Sequence, residues 1–298
     1  DMTRSMTAAF QASAPQVKVY AYMHKNLCNE PGNRETYADC RALDATSRKL
    51  SDTGVFARYV PTLTNAYGKR LAETYRYLVE DLNTHIYMDE ICVGVTAWER
   101  YPTWDGCTVD IDRATHGVRH ALSIPNLLTK PWLEEMLAYL DARGRGLIAN
   151  GPPVTRTLQK HRLLHFVEQG MGHSGLIAAH FTSPLAFCYD TGSRGYSHFR
   201  EALDAGALCF LWSGDWSEHI FPFTPMELHP GYLVCEERIV TRLSGRFGWN
   251  DASNAEIFVY DGEGMRTSGS EVTMVSDAGT CAFDVRMPSD HVAIIVRK

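Results

Sequence analysis

The sequence predicts an α/β protein in two parts, a set of parallel strands covered by helices and a C-terminal antiparallel β-sandwich. Two observations support this prediction. Over residues 1–222, short apolar runs alternate with helix-like segments, which is typical of a parallel sheet. Over residues 223–298, short strands are separated by turn signals such as Asp261-Gly262, which is typical of a sandwich. We therefore expect two domains, 1–222 and 223–298.

The composition of the chain indicates which kinds of molecule the protein is not expected to bind. The chain has 298 residues and a net charge of -6, with 45% hydrophobic residues, as in a globular protein with a sizeable core. Positive and negative side chains are well mixed, so nucleic acid is not an expected partner. No apolar run approaches the roughly 20 residues that cross a bilayer, and no signal peptide is visible. Because the chain opens with Asp1, we expect a processed product or part of a longer polypeptide.

Six parallel strands are predicted, beginning near residues 17, 85, 147, 163, 184 and 207. Each ends in a polar residue, and in order these are His24, Asp89, Asn150, Glu168, Asp190 and Ser213. In a (β/α) barrel the carboxyl ends of the strands meet at the rim that carries the active site, so we expect these residues to gather there. A doubly wound open sheet is the less favoured alternative, because no G-x-G-x-x-G motif or P-loop follows a strand.

A closed barrel needs eight strands, two more than the sequence supplies. We expect the first two to precede residue 1. An upstream segment or a partner chain would then complete the barrel, since an incomplete one leaves open sheet edges.

Helices are predicted between the strands. Residues 68–82 place Leu71, Tyr75 and Leu78 on one face of an amphipathic helix. Pro131 suits the first turn of a helix over residues 131–141. Further helices are predicted over residues 3–13, 34–50, 112–122 and 196–205.

The eight cysteines suggest disulfides in loops. Cys28 and Cys40 flank one polar loop, and Cys92 and Cys107 bracket another irregular stretch. An even number of cysteines suits an oxidising compartment, so we expect a secreted or lumenal protein. No C-x-x-C motif is present, so the cysteine spacing that is usual in zinc and redox sites is missing.

Residues 84–91 contain the most informative strand, a short apolar run that ends in Asp89 and Glu90. A barrel followed by a β-sandwich, with acids at strand ends and aromatic residues in the loops, resembles the retaining glycoside hydrolases of the α-galactosidase and α-glucosidase-like clans. In those families the nucleophile ends the fourth barrel strand and the acid/base ends the sixth. With two strands upstream, the resemblance implies Asp89 as nucleophile and Glu168 as acid/base. The families usually have Asp at the second position, so Asp190 is a further candidate.

The implied chemistry needs two carboxyl groups and no cofactor. One carboxylate attacks the anomeric carbon and the other carboxylic acid protonates the leaving oxygen, at a separation of about 5–5.5 Å. One group must stay charged while its surroundings keep the other protonated. The substrate would be a carbohydrate.

Polar and aromatic residues near the strand ends are candidates for sugar binding. Their aromatic rings could stack on the apolar faces of sugars, although packing within loops is the more common role of any single one. The predicted binding residues are His24, Glu90, Trp104, Asn150, Asp190, Trp212 and Asp215. His116 and His120 have the spacing of a metal pair on a helix, but the Glu of H-E-x-x-H is missing, so no metal site is predicted.

Two other functions fit the same residues. The first is a catalytically inactive barrel that serves as a structural or carbohydrate-binding component of an extracellular assembly. The second, weaker one is a polysaccharide lyase with a Tyr or His base. The sequence identifies neither the sugar nor the anomer.

Overall fold

The computed structural model describes residues 2–44, 57–92, 99–100, 104–151, 153–161, 163–168, 185–187, 192–210, 215–277 and 279–298. The fold is mixed α/β, with parallel strands and several antiparallel sheets. The chain divides into two compact units, Asp1–His165 and Phe166–Lys298. The domain boundary between residues 222 and 223 stays a prediction.

The described residues of the first unit include four α-helices and the strands β1 to β9. The helices are α1 (Met2–Ser13), α2 (Asn33–Thr36), α3 (Ala66–Arg76, continued by a π-helical turn Tyr77–Asp81) and α4 (Pro125–Asp141). The strands are β1 (Tyr20–His24), β2 (Leu27–Cys28), β3 (Leu43–Asp44), β4 (Ala57–Arg58), β5 (His85–Asp89), β6 (Glu99–Arg100), β7 (Val109–Ile111), β8 (Val118–Ala121) and β9 (Leu147–Asn150).

Strands β1, β5 and β9 pair in parallel with β5 in the middle, as the sequence predicts. The register pairs His24 with Asp89, and Met88 with Ala149. Since Asn150 follows Ala149, the last residues of the three strands lie at one edge of the sheet.

The two faces of this sheet differ. Along β5, Ile86 and Met88 are fully buried, whereas Tyr87 and Asp89 are only partly buried. Side chains alternate between the faces of a strand, so one face carries the apolar residues and the other carries Tyr87 and Asp89. An acid at position 89 therefore stays in contact with solvent.

Helices α3 and α4 cover the apolar face and form the core of the first unit. Asn65 caps α3, because its side chain accepts a hydrogen bond from the Gly68 amide. Trp132 on α4 is buried and donates a hydrogen bond from its indole to the Gly68 carbonyl at 2.9 Å. This contact fixes the two helices together above β5.

Among the described residues, no strand pairing closes the parallel strands into a barrel. The closed barrel therefore stays a prediction. The described helices include none that is long and apolar enough to cross a membrane.

The predicted helix over residues 34–50 is confirmed only over residues 34–36 and is wrong over residues 37–44, and residues 45–50 lie outside the described residues. The helix ends at Thr36, because Tyr37 leaves the helical conformation. The Tyr37 ring packs edge-on against Tyr59 and Tyr67 in the buried core. This packing overrides the local preference for helix.

The predicted helix over residues 112–122 is also wrong, since β7 and β8 form an antiparallel hairpin there. Asp112 builds the turn by accepting hydrogen bonds from the amides of Ala114 and Thr115. His116 takes a positive φ of 56° and is followed by Gly117, a combination that suits a turn. His116 and His120 are therefore not a helical pair.

Helix α4 begins at Pro125, six residues earlier than expected, and Pro131 lies inside it.

The predicted disulfides are also absent, because Cys28, Cys40, Cys92 and Cys107 are free thiols. Cys28, Cys40 and Cys92 are buried, where burial raises the pKa of each thiol. Disulfides thus give no support to a secreted or lumenal location, which stays a prediction.

The second unit contains one described α-helix, α5 (Gly192–Asp204). Strand β10 (Leu164–Glu168) begins two residues before this unit and pairs in parallel with β11 (Leu185–Phe187), which pairs with β12 (Leu208–Phe210). The antiparallel strands are β13 (Pro225–His229), β14 (Tyr232–Cys235), β15 (Arg238–Thr241), β16 (Gly245–Phe247), β17 (Ala255–Tyr260), β18 (Val272–Asp277), β19 (Thr280–Val285) and β20 (Val292–Arg297).

The antiparallel strands form two sheets, of five strands in the order β13-β14-β15-β20-β17 and of three in the order β16-β19-β18. Successive residues of β20 alternate between two cores. Val292 and Ile294 pack with α5, including Phe199, whereas Ala293 and Ile295 pack with the three-stranded sheet. Both faces of the five-stranded sheet are therefore buried along β20.

Gly68 offers a test of the α3–α4 packing. A Cβ at this position would lie 1.9 Å from the Thr62 carbonyl oxygen, so Gly68→Ala must displace the start of α3. We expect the free energy of unfolding to fall by about 1–3 kcal/mol, measured by urea denaturation. Gly117→Ala is the control, since a Cβ there meets only the Thr115 hydroxyl, at 3.4 Å. Equal stability of the two variants would contradict the packing described.

Candidate active site

Asp89 is the centre of a hydrogen-bonded group at the edge where β1, β5 and β9 end. Its Oδ1 accepts hydrogen bonds from the Asn150 side-chain amide at 2.7 Å and from the Glu90 backbone amide at 2.9 Å. Its Oδ2 accepts one from the Tyr22 hydroxyl at 2.5 Å. A carboxylate has about four lone-pair sites, so one site on Oδ2 remains for a substrate.

Tyr22 lies on the same face of the sheet as Asp89, one pleat earlier on the neighbouring strand. Its ring stacks on Tyr87, with ring centroids 5.5 Å apart, and the side chain is 63% exposed. Loss of water around the hydroxyl, together with the hydrogen bond to Asp89, raises the pKa of Tyr22. The hydroxyl therefore keeps its proton and remains a hydrogen-bond donor to Asp89.

Asn150, the last residue of β9, binds Asp89 from the strand on the other side of β5. Its side chain is buried and donates to Asp89, while its backbone carbonyl accepts a hydrogen bond from the Ile91 amide at 3.0 Å. A buried amide held at the backbone in this way is a rigid donor, so Asp89 has little freedom to rotate.

Glu90 turns away from the strand with a φ of 48°, a left-handed conformation that is uncommon for a residue other than glycine. Its Oε2 lies 3.3 Å from His24 Nε2. The other ring nitrogen of His24, Nδ1, accepts hydrogen bonds from the amides of Asn26 and Leu27 at 3.1 and 3.0 Å. Nδ1 therefore carries no hydrogen, and the hydrogen on Nε2 points to Glu90.

The hydrogen bond from His24 is the largest cause that lowers the pKa of Glu90, with smaller contributions from the charges of Arg58 and Lys25. Both acids at the end of β5 are thus held by hydrogen-bond donors. Asp89 is bound by a phenol and two amides, whereas Glu90 is bound by an imidazole.

Lys25 follows His24 in the chain, and its side chain is fully buried. Its ammonium donates to the Asn26 side chain, whose amide in turn donates to the Tyr59 carbonyl at 2.9 Å. These contacts fix the turn after β1 that carries the two amides bound to His24.

Sequence reasoning missed Tyr22 and Lys25. The available signal for Tyr22 was its position two residues before His24 in a strand, because alternate residues share a face. No comparable signal identified Lys25, since lysine is rarely buried.

Four of the predicted residues, His24, Asp89, Glu90 and Asn150, are brought together by the structure. Trp104 is half-exposed and donates from its indole to the Thr108 carbonyl at 2.8 Å, which anchors its own loop. Asp190 and Trp212 lie outside the described residues. Glu168 ends β10 and Asp215 begins a 3₁₀ turn over Asp215–His219, but their side chains lie outside what the structure describes.

Within the described part of the chain, no three His, Cys, Asp or Glu side chains are grouped so as to hold a metal ion. The groups that the structure describes at the strand ends are two carboxylates and their hydrogen-bond donors. Asp89 Oδ2 can act as a nucleophile or accept a hydrogen bond from a sugar hydroxyl, and Glu90 can accept one.

No protein-family model matches the chain, and no curated protein sequence is significantly similar to it. Among solved structures, the chain is similar to the glycoside hydrolase family 30 subfamily 8 xylanase Xyn30A from Clostridium acetobutylicum. The TM-score is 0.40 and the sequence identity 10%, over 77% of this chain and 72% of that one. A likeness of this degree identifies neither a shared fold nor a shared activity.

The contact between His24 and Glu90 predicts a pH-dependent contribution to stability. Because folding lowers the pKa of Glu90 below its ordinary value of 4.5, the charged carboxylate stabilises the fold above that value. The stabilisation is lost as the pH falls through the lowered pKa. We expect Glu90→Gln to reduce the free energy of unfolding by about 1 kcal/mol near pH 7, and by progressively less towards about pH 4.

Urea denaturation of the wild type and the variant across this pH range measures the difference. Glu73→Gln is the control, because Glu73 is 66% exposed at its side chain and reaches Arg70 only at 3.8 Å. A difference between Glu90→Gln and the wild type that does not change with pH would contradict the assignment.

Proposed function

We propose that the protein is a glycoside hydrolase-like enzyme that cleaves O-glycosidic bonds by a retaining, two-carboxylate mechanism. The observation that carries the proposal is the environment of Asp89: a partly exposed carboxylate at a strand end, held by Tyr22 and Asn150, with one lone-pair site open on Oδ2. A nucleophile in this reaction must be fixed in direction, and these donors fix the direction of the Asp89 carboxylate.

In the proposed reaction, Asp89 Oδ2 attacks the anomeric carbon of the sugar. The bond from that carbon to the leaving oxygen breaks, and the oxygen takes a proton from Glu168. Water, deprotonated by Glu168, then attacks the same carbon and releases Asp89. The assignment of Glu168 rests on its position at the end of a parallel strand, with Asp190 as the alternative acid/base.

The remaining predicted residues would bind the sugar. His24 holds Glu90, so the two act together at the proposed subsite, with Glu90 accepting a hydrogen bond from a hydroxyl. Trp104, Asp190, Trp212 and Asp215 are proposed for neighbouring subsites. The fold that this proposal implies is a (β/α) barrel over residues 1–222, completed by an upstream segment or partner chain, and a β-sandwich over residues 223–298 in a secreted or lumenal protein.

A catalytically inactive, carbohydrate-binding or structural barrel is the second candidate. The observation in its favour is that three donors already occupy Asp89. Hydrogen bonds lower the reactivity of a carboxylate unless the substrate displaces or reorients one of the donors. Hydrolysis of aryl glycosides distinguishes an active glycosidase from an inactive barrel.

Substitution of Asp89 tests the proposal. The wild type is expected to hydrolyse at least one of a set of aryl glycosides, with retention at the anomeric carbon by NMR. Asp89→Asn should lower kcat by about 10⁶-fold, the scale of loss when a covalent nucleophile is removed, because the neutral amide cannot attack. Asp141→Asn is the control, since Asp141 contacts His161 on the surface, with a side chain 62% exposed.

Azide identifies the role of Asp89 more specifically. In Asp89→Gly, azide can occupy the vacated space and attack the anomeric carbon, which restores turnover and yields a glycosyl azide of inverted configuration. An Asp89→Asn variant as active as the wild type would contradict the proposal. Absence of turnover by the wild type on every aryl glycoside would favour the inactive barrel.

A further inference from the structure

A cavity of about 430 Å³ lies in the second unit, between the five-stranded and three-stranded sheets. Its lining comes from both sheets and from the loop after β16. The residues that matter for recognition are Glu227, Tyr232, Arg246, Phe247, Asn250 and Thr280. The volume is within the range of about 300–1,000 Å³ that is usual for small-molecule sites.

One wall of the cavity is aromatic. Tyr232 and Phe247 meet edge to face, with ring centroids 5.3 Å apart. His229 stacks on the Tyr232 ring, with ring centroids 4.5 Å apart, and so holds that ring in place. Tyr232 and Phe247 both line the cavity and supply the apolar part of its wall.

The charged residues of the lining are one anion, Glu227, and one cation, Arg246. Arg246 lies 3.5 Å from Asp284, and Glu227 lies 3.4 Å from His229. All four side chains are about half-exposed, so they can still donate to or accept from a ligand. Because the lining carries one charged side chain of each sign, it favours a neutral, polar ligand over a charged one.

Two further polar groups of the lining have capacity left. The Asn250 carboxamide and the Tyr232 hydroxyl make no hydrogen bond to any residue that the structure describes. Asn250 has a φ of 59°, a left-handed conformation that asparagine tolerates, and the neighbouring Gly248 packs directly against the backbone at Cys281. The carboxamide is thus carried by a well-packed turn.

We propose that this cavity binds one or two rings of a neutral saccharide. Sugars combine an apolar C–H face, which suits the Tyr232–Phe247 wall, with hydroxyl groups that donate and accept hydrogen bonds. The Arg246 guanidinium and the side-chain NH₂ of Asn250 supply donors. The Glu227 carboxylate and the side-chain carbonyl of Asn250 supply acceptors. The proposal uses no residue of the Asp89 group, so it does not depend on catalysis there.

Titration calorimetry with maltose, cellobiose, lactose and melibiose at millimolar concentration tests the proposal. The variants are Arg246→Gln and Asn250→Gly, the second of which keeps the left-handed turn. Arg286→Gln is the matched control, because Arg286 is exposed in the same unit but does not line the cavity. Thermal unfolding by circular dichroism establishes that each variant is folded.

At least one disaccharide should bind the wild type and Arg286→Gln equally, and bind Arg246→Gln and Asn250→Gly at least about tenfold more weakly, or 1.4 kcal/mol. Binding to none of the four sugars would overturn the proposal. So would wild-type affinity in either cavity variant, which would place the sugar elsewhere in the protein. Binding at the cavity without hydrolysis of aryl glycosides would leave this proposal standing while the proposed activity fails.

Discussion

The parallel register of β1, β5 and β9 is the constraint on which the candidate active site depends. Pairing of His24 with Asp89, and of Met88 with Ala149, brings three strand ends to one edge of the sheet. A shift of one residue would turn Asp89 towards the buried helices, since successive side chains point to opposite faces. The apolar contacts of Ile86 and Met88 with the core therefore also fix the direction of the carboxylate.

The two acids that end β5 have different surroundings although they are adjacent in sequence. Asp89 shares a face with Tyr22, and it receives a phenol and two amide donors. Glu90 leaves the strand in a left-handed conformation and meets His24. The difference follows from the abrupt end of the strand, because Asp89 keeps the alternation of β5 whereas Glu90 takes a left-handed conformation.

The parallel strands could be predicted from the sequence because their apolar runs are short and end in polar residues, and because strands ending at one edge gather those residues. The group formed by His24, Asp89, Glu90 and Asn150 was found in this way. The hairpin over residues 109–121 was not, since it depends on turn hydrogen bonds to Asp112 that helix-like spacing conceals. The end of α2 depends on Tyr37 packing against residues distant in sequence, and the cysteine count did not reveal whether thiols pair.

Trapping of a covalent intermediate tests the role of Asp89 most directly. A 2-deoxy-2-fluoro glycoside slows the second step more than the first, so the glycosyl-enzyme should accumulate and add the mass of one fluorosugar to the intact protein. Peptide mapping by mass spectrometry is predicted to place that sugar on Asp89. A sugar attached to any other carboxyl group would contradict the proposal that Asp89 is the nucleophile. The same holds if the protein hydrolyses a glycoside but the matching fluoroglycoside leaves it unlabelled.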